Sequence, residues 1–186
     1  MAITPTTPLK DLQSVFDKVK RIYYSEASIE SLTTAPTIKF ELPVIEDSFN
    51  FNAGAASISY IKLTTGQKWA SYVTAGDPDI TMQVASVDGE ISDLFMTKAG
   101  DAITAATLID ISLTGQGYST EIKKVKGALI LASEDGTRLI VLPNVEMIAN
   151  PVIESGTPAY FNVQIMPKPN TAGADIIILN PTPPAG

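Results

Sequence analysis

The sequence predicts a mainly β fold, an antiparallel β-sandwich or barrel with one short helix at about 88–99 and extended terminal arms. Several segments alternate apolar and polar residues with a period of two, which is typical of strands with one buried and one solvated face. Two pairs of apolar segments are separated by short turn sequences that contain glycine, as in β-hairpins. Helical spacing of apolar residues is scarce, so one short helix on a β core is expected.

The beginning of the chain has two interpretations. Apolar residues over 9–24 are spaced as in a helix, yet 19–24 is equally compatible with a first strand. We expect an irregular N-terminal arm over 1–14 and then a strand. Residues 15–179 are predicted to form a single β-sandwich or barrel domain, and 180–186 a Pro-rich C-terminal tail.

Four segments alternate clearly enough to predict half-buried strands. In each, apolar side chains occupy every second position and polar residues stand between them. The predicted inward-facing residues are Ile38, Phe40, Leu42 and Val44; Ile80, Met82 and Val84; Ile109, Ile111 and Leu113; and Phe161, Val163 and Ile165.

A hairpin rich in aromatic residues is predicted where the turn 64–67 joins 57–63 to 68–74. Tyr60, Trp69 and Tyr72 lie in its strands. These three residues are candidates for a subunit interface, because aromatic side chains dominate interface hot spots. Packing in the core is the other interpretation, which the sequence favours for Trp69 and Tyr72.

The helix is predicted from Ile91, Leu94 and Phe95, which are spaced i, i+3 and i+4. Either Ser86 or Asp88 can cap its beginning, and Gly100 can end it.

A second hairpin is predicted where Asp135-Gly136 separates the apolar segments 128–132 and 138–142. Asp-Gly between apolar runs is a strong hairpin signal, since glycine adopts positive φ freely. Both strands are apolar on both faces, so we expect this hairpin to be covered on each side.

The chain of 186 residues contains no histidine and no cysteine. The commonest general acid or base, nucleophilic thiol and zinc ligands are therefore missing. Gly115-Gln116-Gly117 lacks the rest of a phosphate-binding loop or dinucleotide fingerprint, so a turn is the better interpretation. The sequence predicts a protein that is not an enzyme and has no cofactor and no metal site.

The charge balance is acidic, with 20 Asp and Glu against 13 Lys and Arg and a net charge of −7. Such a surface repels nucleic-acid phosphates and anionic lipids. The first residues lack the basic segment and apolar run of a secretory signal, and no stretch has the length needed to span a bilayer. We expect a protein made in the cytoplasm that has no membrane partner.

Three blocks of the sequence resemble the tail tube (major tail) proteins of bacteriophages and phage-derived particles. The first block is 18–24 followed by 37–43, an opening pair of strands. The second is 76–84 followed by 88–95, a strand that leads into a short helix. The third is 126–131 paired with 139–143, followed by 159–163.

The resemblance implies a structural subunit whose copies close into hexameric rings, and rings that stack into a hollow conduit for DNA. It implies a place in the virion tail, made in the bacterial host cytoplasm. The partners would be other copies of the chain, other tail proteins and, transiently and non-specifically, the passing DNA. Within that picture Glu41, Asp110 and Glu121 are candidates for acidic residues that face the lumen, and both terminal arms are candidates for ordering on an adjacent copy.

Three other functions remain open. A tube protein of a bacterial contractile injection or type VI secretion system would share the ring but carry protein cargo. A monomeric β-sandwich binding module would need an exposed aromatic platform, for which Tyr60, Trp69 and Tyr72 are candidates. An enzyme with a carboxylate pair distant in sequence is the fourth interpretation.

Overall fold

The computed structural model describes residues 16, 18–85 and 89–181, without the side chain of Leu108. The described residues form one helix, α1 (Gly89–Phe95), and fourteen strands. The strands are β1 (Val19–Ser25), β2 (Phe40–Leu42), β3 (Asn50–Asn52), β4 (Ser57–Lys62), β5 (Lys68–Thr74), β6 (Asp79–Val84), β7 (Thr97–Lys98), β8 (Ile103–Leu108), β9 (Ile111–Gly115), β10 (Tyr118–Ser119), β11 (Lys124–Ser133), β12 (Leu139–Val152), β13 (Tyr160–Pro167) and β14 (Ile177–Leu179).

The main sheet is antiparallel and closes on itself. Its strand order is β2-β1-β11-β12-β13-β6-β3, and β14 pairs with β12 beside it. The chain just after β2 returns to β6, where Val44 bridges Val84. The Ile45 amide donates to the Gln83 carbonyl at 2.8 Å, and the Ala85 amide donates to the Pro43 carbonyl at 2.8 Å. The predicted mainly β, antiparallel fold with one short helix is confirmed, and closure makes its main sheet a barrel.

The core lies inside this barrel. Two of the four alternating segments place all of their predicted residues there, Ile80, Met82 and Val84 and also Phe161, Val163 and Ile165, and the first segment places Leu42 there with Phe40 and Val44 partly buried. Helix α1 packs its apolar side against the same core, and the Phe95 ring lies 5.4 Å from the Phe161 ring. Period-two patterning therefore determines the inner face of each barrel strand.

A second apolar cluster covers the outer face of the β11–β12 hairpin. Ala128, Ile130 and Val141 point outward and are covered by Ile29 and by side chains around it and on β14. The Ile29 amide donates to the Pro143 carbonyl at 2.7 Å, which fixes the covering segment to the barrel. The prediction that this hairpin is covered on each side is confirmed.

The helix is shorter than the predicted 88–99. It ends at Phe95 because Thr97 and Lys98 form β7, which pairs with β10. Gly100 does not end the helix; it has a φ of 74° after β7. The predicted caps Ser86 and Asp88 lie outside the described residues.

The prediction of a half-buried strand over 109–113 is wrong. Ile109 lies in a turn, and Ile111 and Leu113 are exposed although they alternate with polar residues. The reason is that β9 pairs only with β8, in a two-stranded ribbon outside the barrel sheet. Ile38 likewise precedes β2 and is exposed rather than inward-facing.

Two other expectations concern the ends of the chain. Residues 19–24 belong to strand β1, which settles the ambiguity between helix and strand in favour of the strand. The predicted arm over 1–14 lies outside the described residues, as does the tail beyond Pro181.

The Asp135-Gly136 turn joins β11 to β12 as predicted, with Gly136 at a φ of 69°. Asp135 organises the turn, because its carboxylate accepts hydrogen bonds from Ser133, from Thr137 and from Arg138. The bonds from Ser133 and Thr137 hold the pKa of Asp135 well below its usual range.

We expect the substitution Gly136→Val to destabilise the protein by about 1–2 kcal/mol, because a β-branched residue resists positive φ. A Cβ at Gly136 would meet no atom within 4 Å, so the loss would come from the backbone alone. Gly115→Val is the matched control, because Gly115 also has open space around it but no positive φ. Thermal unfolding of both variants measures the difference; equal stability would contradict a backbone origin.

A second prediction concerns alkaline pH. The Tyr24 hydroxyl donates to the Lys126 carbonyl at 2.8 Å, and burial raises the pKa of Tyr24 to about 12. Between the ordinary tyrosine pKa of about 10 and that value, the unfolded chain binds fewer protons than the folded one, so stability falls as pH rises. Denaturant unfolding should show wild type losing about 1–2 kcal/mol more than Tyr24→Phe between pH 10 and pH 12. Parallel pH profiles would contradict this assignment.

Candidate self-assembly surface

Two hairpin ribbons extend from the barrel and carry most of the exposed large apolar side chains of the described residues. We call 57–74 the lysine ribbon; it contains β4, β5 and their turn. We call 101–115 the aspartate ribbon; it contains β8, β9 and their turn. Apart from the pairing within each ribbon, β4, β5, β8 and β9 pair with no described strand.

The lysine ribbon leaves the barrel through a narrow neck. Strands β3 and β6 pair at the edge of the main sheet, and the chain continues from them through Gly54 and Gly76 into β4 and β5. A Cβ at Gly54 would lie 2.4 Å from the Asp77 carbonyl oxygen, and one at Gly76 would lie 2.5 Å from the Ala55 carbonyl oxygen. Glycine at both positions therefore permits the close approach of these two segments of the chain.

Both faces of the lysine ribbon are apolar and exposed. Tyr60 pairs with Ser71 and the adjacent Ser59 pairs with Tyr72, so the two tyrosines lie on opposite faces. Trp69 lies at a bulge and is 68% exposed. The exposed large apolar residues of this ribbon are Ile58, Tyr60, Ile61, Leu63, Trp69, Tyr72 and Val73. The structure thus brings the three predicted interface residues together on one ribbon and leaves all of them exposed.

The turn end of the lysine ribbon concentrates positive charge. Lys62 and Lys68 are directly opposite each other across the strands, an arrangement that destabilises an isolated pair. The Lys68 Nζ lies 3.8 Å from the centre of the Tyr60 ring, which partly offsets this repulsion. The segment 53–76 contains no acidic residue, although the protein as a whole is acidic.

The aspartate ribbon is fixed to the barrel at its base through Asp93 of α1. The Asp93 carboxylate binds Lys98 of β7 at 2.8 Å and accepts a hydrogen bond from Tyr118 of β10 at 2.8 Å. These two contacts, first the one from Lys98, lower the pKa of Asp93. The Lys123 ammonium donates to the carbonyls of Asp93 and Met96, which satisfies the end of the helix.

Beyond that base the aspartate ribbon has one exposed apolar face. Ile111 and Leu113 share this face, whereas Thr107 and Ser112 pair on the other. Ile111 is 58% exposed and Leu113 is 44% exposed. Sequence reasoning missed this surface because alternation identifies an apolar face but does not say what covers it.

The tip of the aspartate ribbon is strained as well as apolar. Ile109 and Asp110 both have positive φ, 51° and 59°, in the two-residue turn between β8 and β9. Aspartate tolerates this conformation, but a β-branched isoleucine does so only at a cost. Ile109 is nevertheless 92% exposed, so packing within its own chain does not offset the cost of that strain. Strained residues of this kind are often found at functional sites.

The three acidic lumen candidates lie on three separate elements. Glu41 is on β2 and forms an ion pair with Arg21 at 3.5 Å. Asp110 lies at the tip of the aspartate ribbon, and Glu121 lies in the connection between β10 and β11. Neither Asp110 nor Glu121 forms an ion pair with another described residue.

The chemistry of the two ribbons is that of contact rather than of a reaction. Exposed aromatic and aliphatic side chains on rigid strands supply contact area, and charges at the tips can orient a partner. Among the described residues, no group of three acidic side chains is placed to hold a metal ion. Helix α1, the one helix of the described residues, lacks the length and hydrophobicity to cross a membrane.

The exposure of Trp69 can be tested by fluorescence, because the chain contains a single tryptophan. In dilute solution we expect strong quenching of Trp69 by acrylamide. Quenching should fall at concentrations where the light-scattering mass rises, since association would cover the ribbon. Trp69→Phe should remove the signal and leave the free energy of unfolding within about 0.5 kcal/mol of wild type. Weak quenching of the dilute monomer would mean that the ribbon folds back on the barrel.

Comparison of the sequence with protein-family models gives no match, and comparison with curated proteins gives none either.

Proposed function

We propose that this chain is the structural subunit of a phage or phage-derived tail tube, whose copies form stacked hexameric rings around a conduit for DNA. The same proposal places it in the virion tail, in contact with other copies and with other tail proteins.

The observation that carries the proposal is the division of the chain into a closed barrel and two uncovered apolar ribbons. The barrel buries its own core, so the ribbons are not needed to complete it. Contiguous exposed apolar surface marks sites of association, and two different ribbons offer two different contacts. A tube requires two kinds of contact, because rings close by rotation whereas stacking does not close.

Free strand edges give a second means of joining copies. Among the described strands, β3 pairs only with β6, and β14 pairs only with β12. Each therefore has one edge whose backbone groups can accept a strand from a neighbour. The terminal arms of an adjacent copy are candidates for that added strand.

The acidic charge of the chain suits a conduit for DNA. A net charge of −7 on each subunit would repel phosphates from a channel wall over about 8 Å at physiological salt. Glu41 already pairs with Arg21, so Glu121 is the lumen candidate that we assign to the channel wall, whereas Asp110, at the tip of the aspartate ribbon, is assigned to a contact between copies. DNA would then pass with transient, non-specific contact.

The ring protein of a contractile injection or type VI secretion system has the same requirements for assembly and remains the alternative. A carbohydrate-binding platform is less well supported, because Tyr60 and Tyr72 lie on opposite faces of the ribbon and do not form one flat surface. An acidic lumen favours DNA over protein as the cargo for one reason, which is that its charge repels phosphate and so keeps DNA from binding to the wall.

Negative-stain electron microscopy over a concentration series, paired with light-scattering mass, tests the proposed function. We expect rings and hollow tubes at high concentration or on a tail-tip template. A monomer under both conditions would contradict the proposal. Packaged DNA or protein within isolated particles would then separate the tail tube from the secretion tube.

Deletion of residues 1–14 tests the arm. We expect the thermal midpoint of the subunit to stay within about 2 °C of wild type, because β1 begins later, at Val19. Assembly should weaken by about tenfold or more in concentration, since the arm is proposed to order on a neighbour. Normal assembly of the shortened chain would show that the arm has no such role.

A further inference from the structure

We propose that the lysine ribbon of one copy binds the aspartate ribbon of the next copy, so that the two ribbons together form one head-to-tail contact. This inference builds on the proposed function and specifies which surfaces meet.

The two ribbons are complementary in charge. The lysine ribbon carries Lys62 and Lys68 and no acidic residue, whereas the aspartate ribbon carries Asp101 and Asp110 and no basic residue. None of these four groups forms an ion pair with another described residue. Most other basic side chains among the described residues do have a carboxylate partner, for example Lys39 with Glu26 and Lys168 with Glu146. Each ribbon therefore carries unpaired charge of a single sign, positive on the lysine ribbon and negative on the aspartate ribbon.

The arrangement of these charges also calls for a partner. Lys62 and Lys68 face each other directly, and a carboxylate from a neighbouring copy would turn this repulsion into attraction. Asp110 lies in the turn at the tip of its ribbon, where its carboxylate can approach such a lysine pair on a neighbouring copy. Opposite charges at the two tips would steer the ribbons together and fix their register.

The apolar surfaces match in the same way. The face of the aspartate ribbon that carries Ile111 and Leu113 lacks a cover, and each face of the lysine ribbon lacks one too. A two-stranded ribbon is marginally stable by itself, so packing of one ribbon on the other would stabilise both. Ile109 would enter the contact as an exposed apolar residue held in a strained turn.

A contact between two different surfaces is heterologous and repeats from copy to copy. Self-pairing of either ribbon would instead place like charges together, Lys62 and Lys68 with their equivalents or Asp110 with its equivalent. Such pairing is disfavoured, which excludes a simple two-fold dimer through one ribbon. Rings result if the rotation closes, and a filament results if it does not.

Charge reversal tests the proposal. In the variant K62E/K68E both ribbons are negative, and in D101K/D110K both are positive, so each variant should repel copies of itself. We expect the concentration for half-assembly to rise roughly a hundredfold or more for each variant alone. An equimolar mixture should assemble close to the wild-type concentration, because each chain then offers its neighbour the opposite sign. Higher salt should reduce the difference in half-assembly concentration between each variant and wild type, because salt screens the charges.

Two controls have the same changes in net charge at exposed sites outside the ribbons. K18E/K124E and E46K/E154K should both assemble as wild type does. If D101K/D110K unfolds because lysine resists the turn at Asp110, D101N/D110N replaces it, since asparagine tolerates positive φ. That neutral variant should weaken assembly about tenfold, with a smaller dependence on salt.

The outcomes separate this inference from the proposed function. Suppose that wild type forms tubes. If each charge-reversal variant alone also assembles like wild type, or if the equimolar mixture does not regain assembly, the ribbon contact is overturned and the tube stands. Recovery in the mixture with only open chains and no rings or tubes would support the ribbon contact and contradict the tube. A wild type that stays monomeric at every concentration and on the template would overturn both.

Discussion

Closure of the main sheet is the constraint on which the rest of the structure depends. An open sheet would leave rows of backbone amides and carbonyls unpaired at two edges, but here the chain after β2 reaches β6 and pairs at Val44 and Val84. The residues pointing inward are then covered on every side by one continuous wall, with α1 packed against them. Because this core is complete, the segments that leave the barrel are free to serve another purpose.

The lysine ribbon extends the β3–β6 pair of the barrel, whereas the aspartate ribbon extends the separate two-stranded sheet of β7 and β10. Gly54 and Gly76 let the chain continue from the β3–β6 pair through a neck too narrow for side chains. The contacts of Asp93 with Lys98 and Tyr118 hold the other ribbon to the helix. Each ribbon is thus anchored where it begins and uncovered where it ends. Exposed apolar residues in that position have a solvation cost that only a partner can remove.

Charge determines which ribbon binds which, and hydrophobicity alone does not. Apolar surfaces associate with little geometric preference, whereas opposite charges at the tips distinguish one ribbon from the other. In a protein with a net charge of −7, a segment with lysines and no acids is a local reversal of sign. Uneven charge of this kind favours repeated head-to-tail contacts over symmetric pairs, as a ring or tube requires.

The sequence by itself determined the β class, the faces of the barrel strands, the β11–β12 hairpin with its Asp135-Gly136 turn, and the position of α1, because these depend on local periodicity and turn chemistry. It also identified Tyr60, Trp69 and Tyr72 as interface candidates, although it favoured the core for Trp69 and Tyr72. Tertiary structure decided closure at Val44, the early end of α1 and the exposure of Ile111 and Leu113. These features depend on which distant segment lies alongside, and a period of two shows that a face is apolar without specifying whether the chain has anything left to cover it.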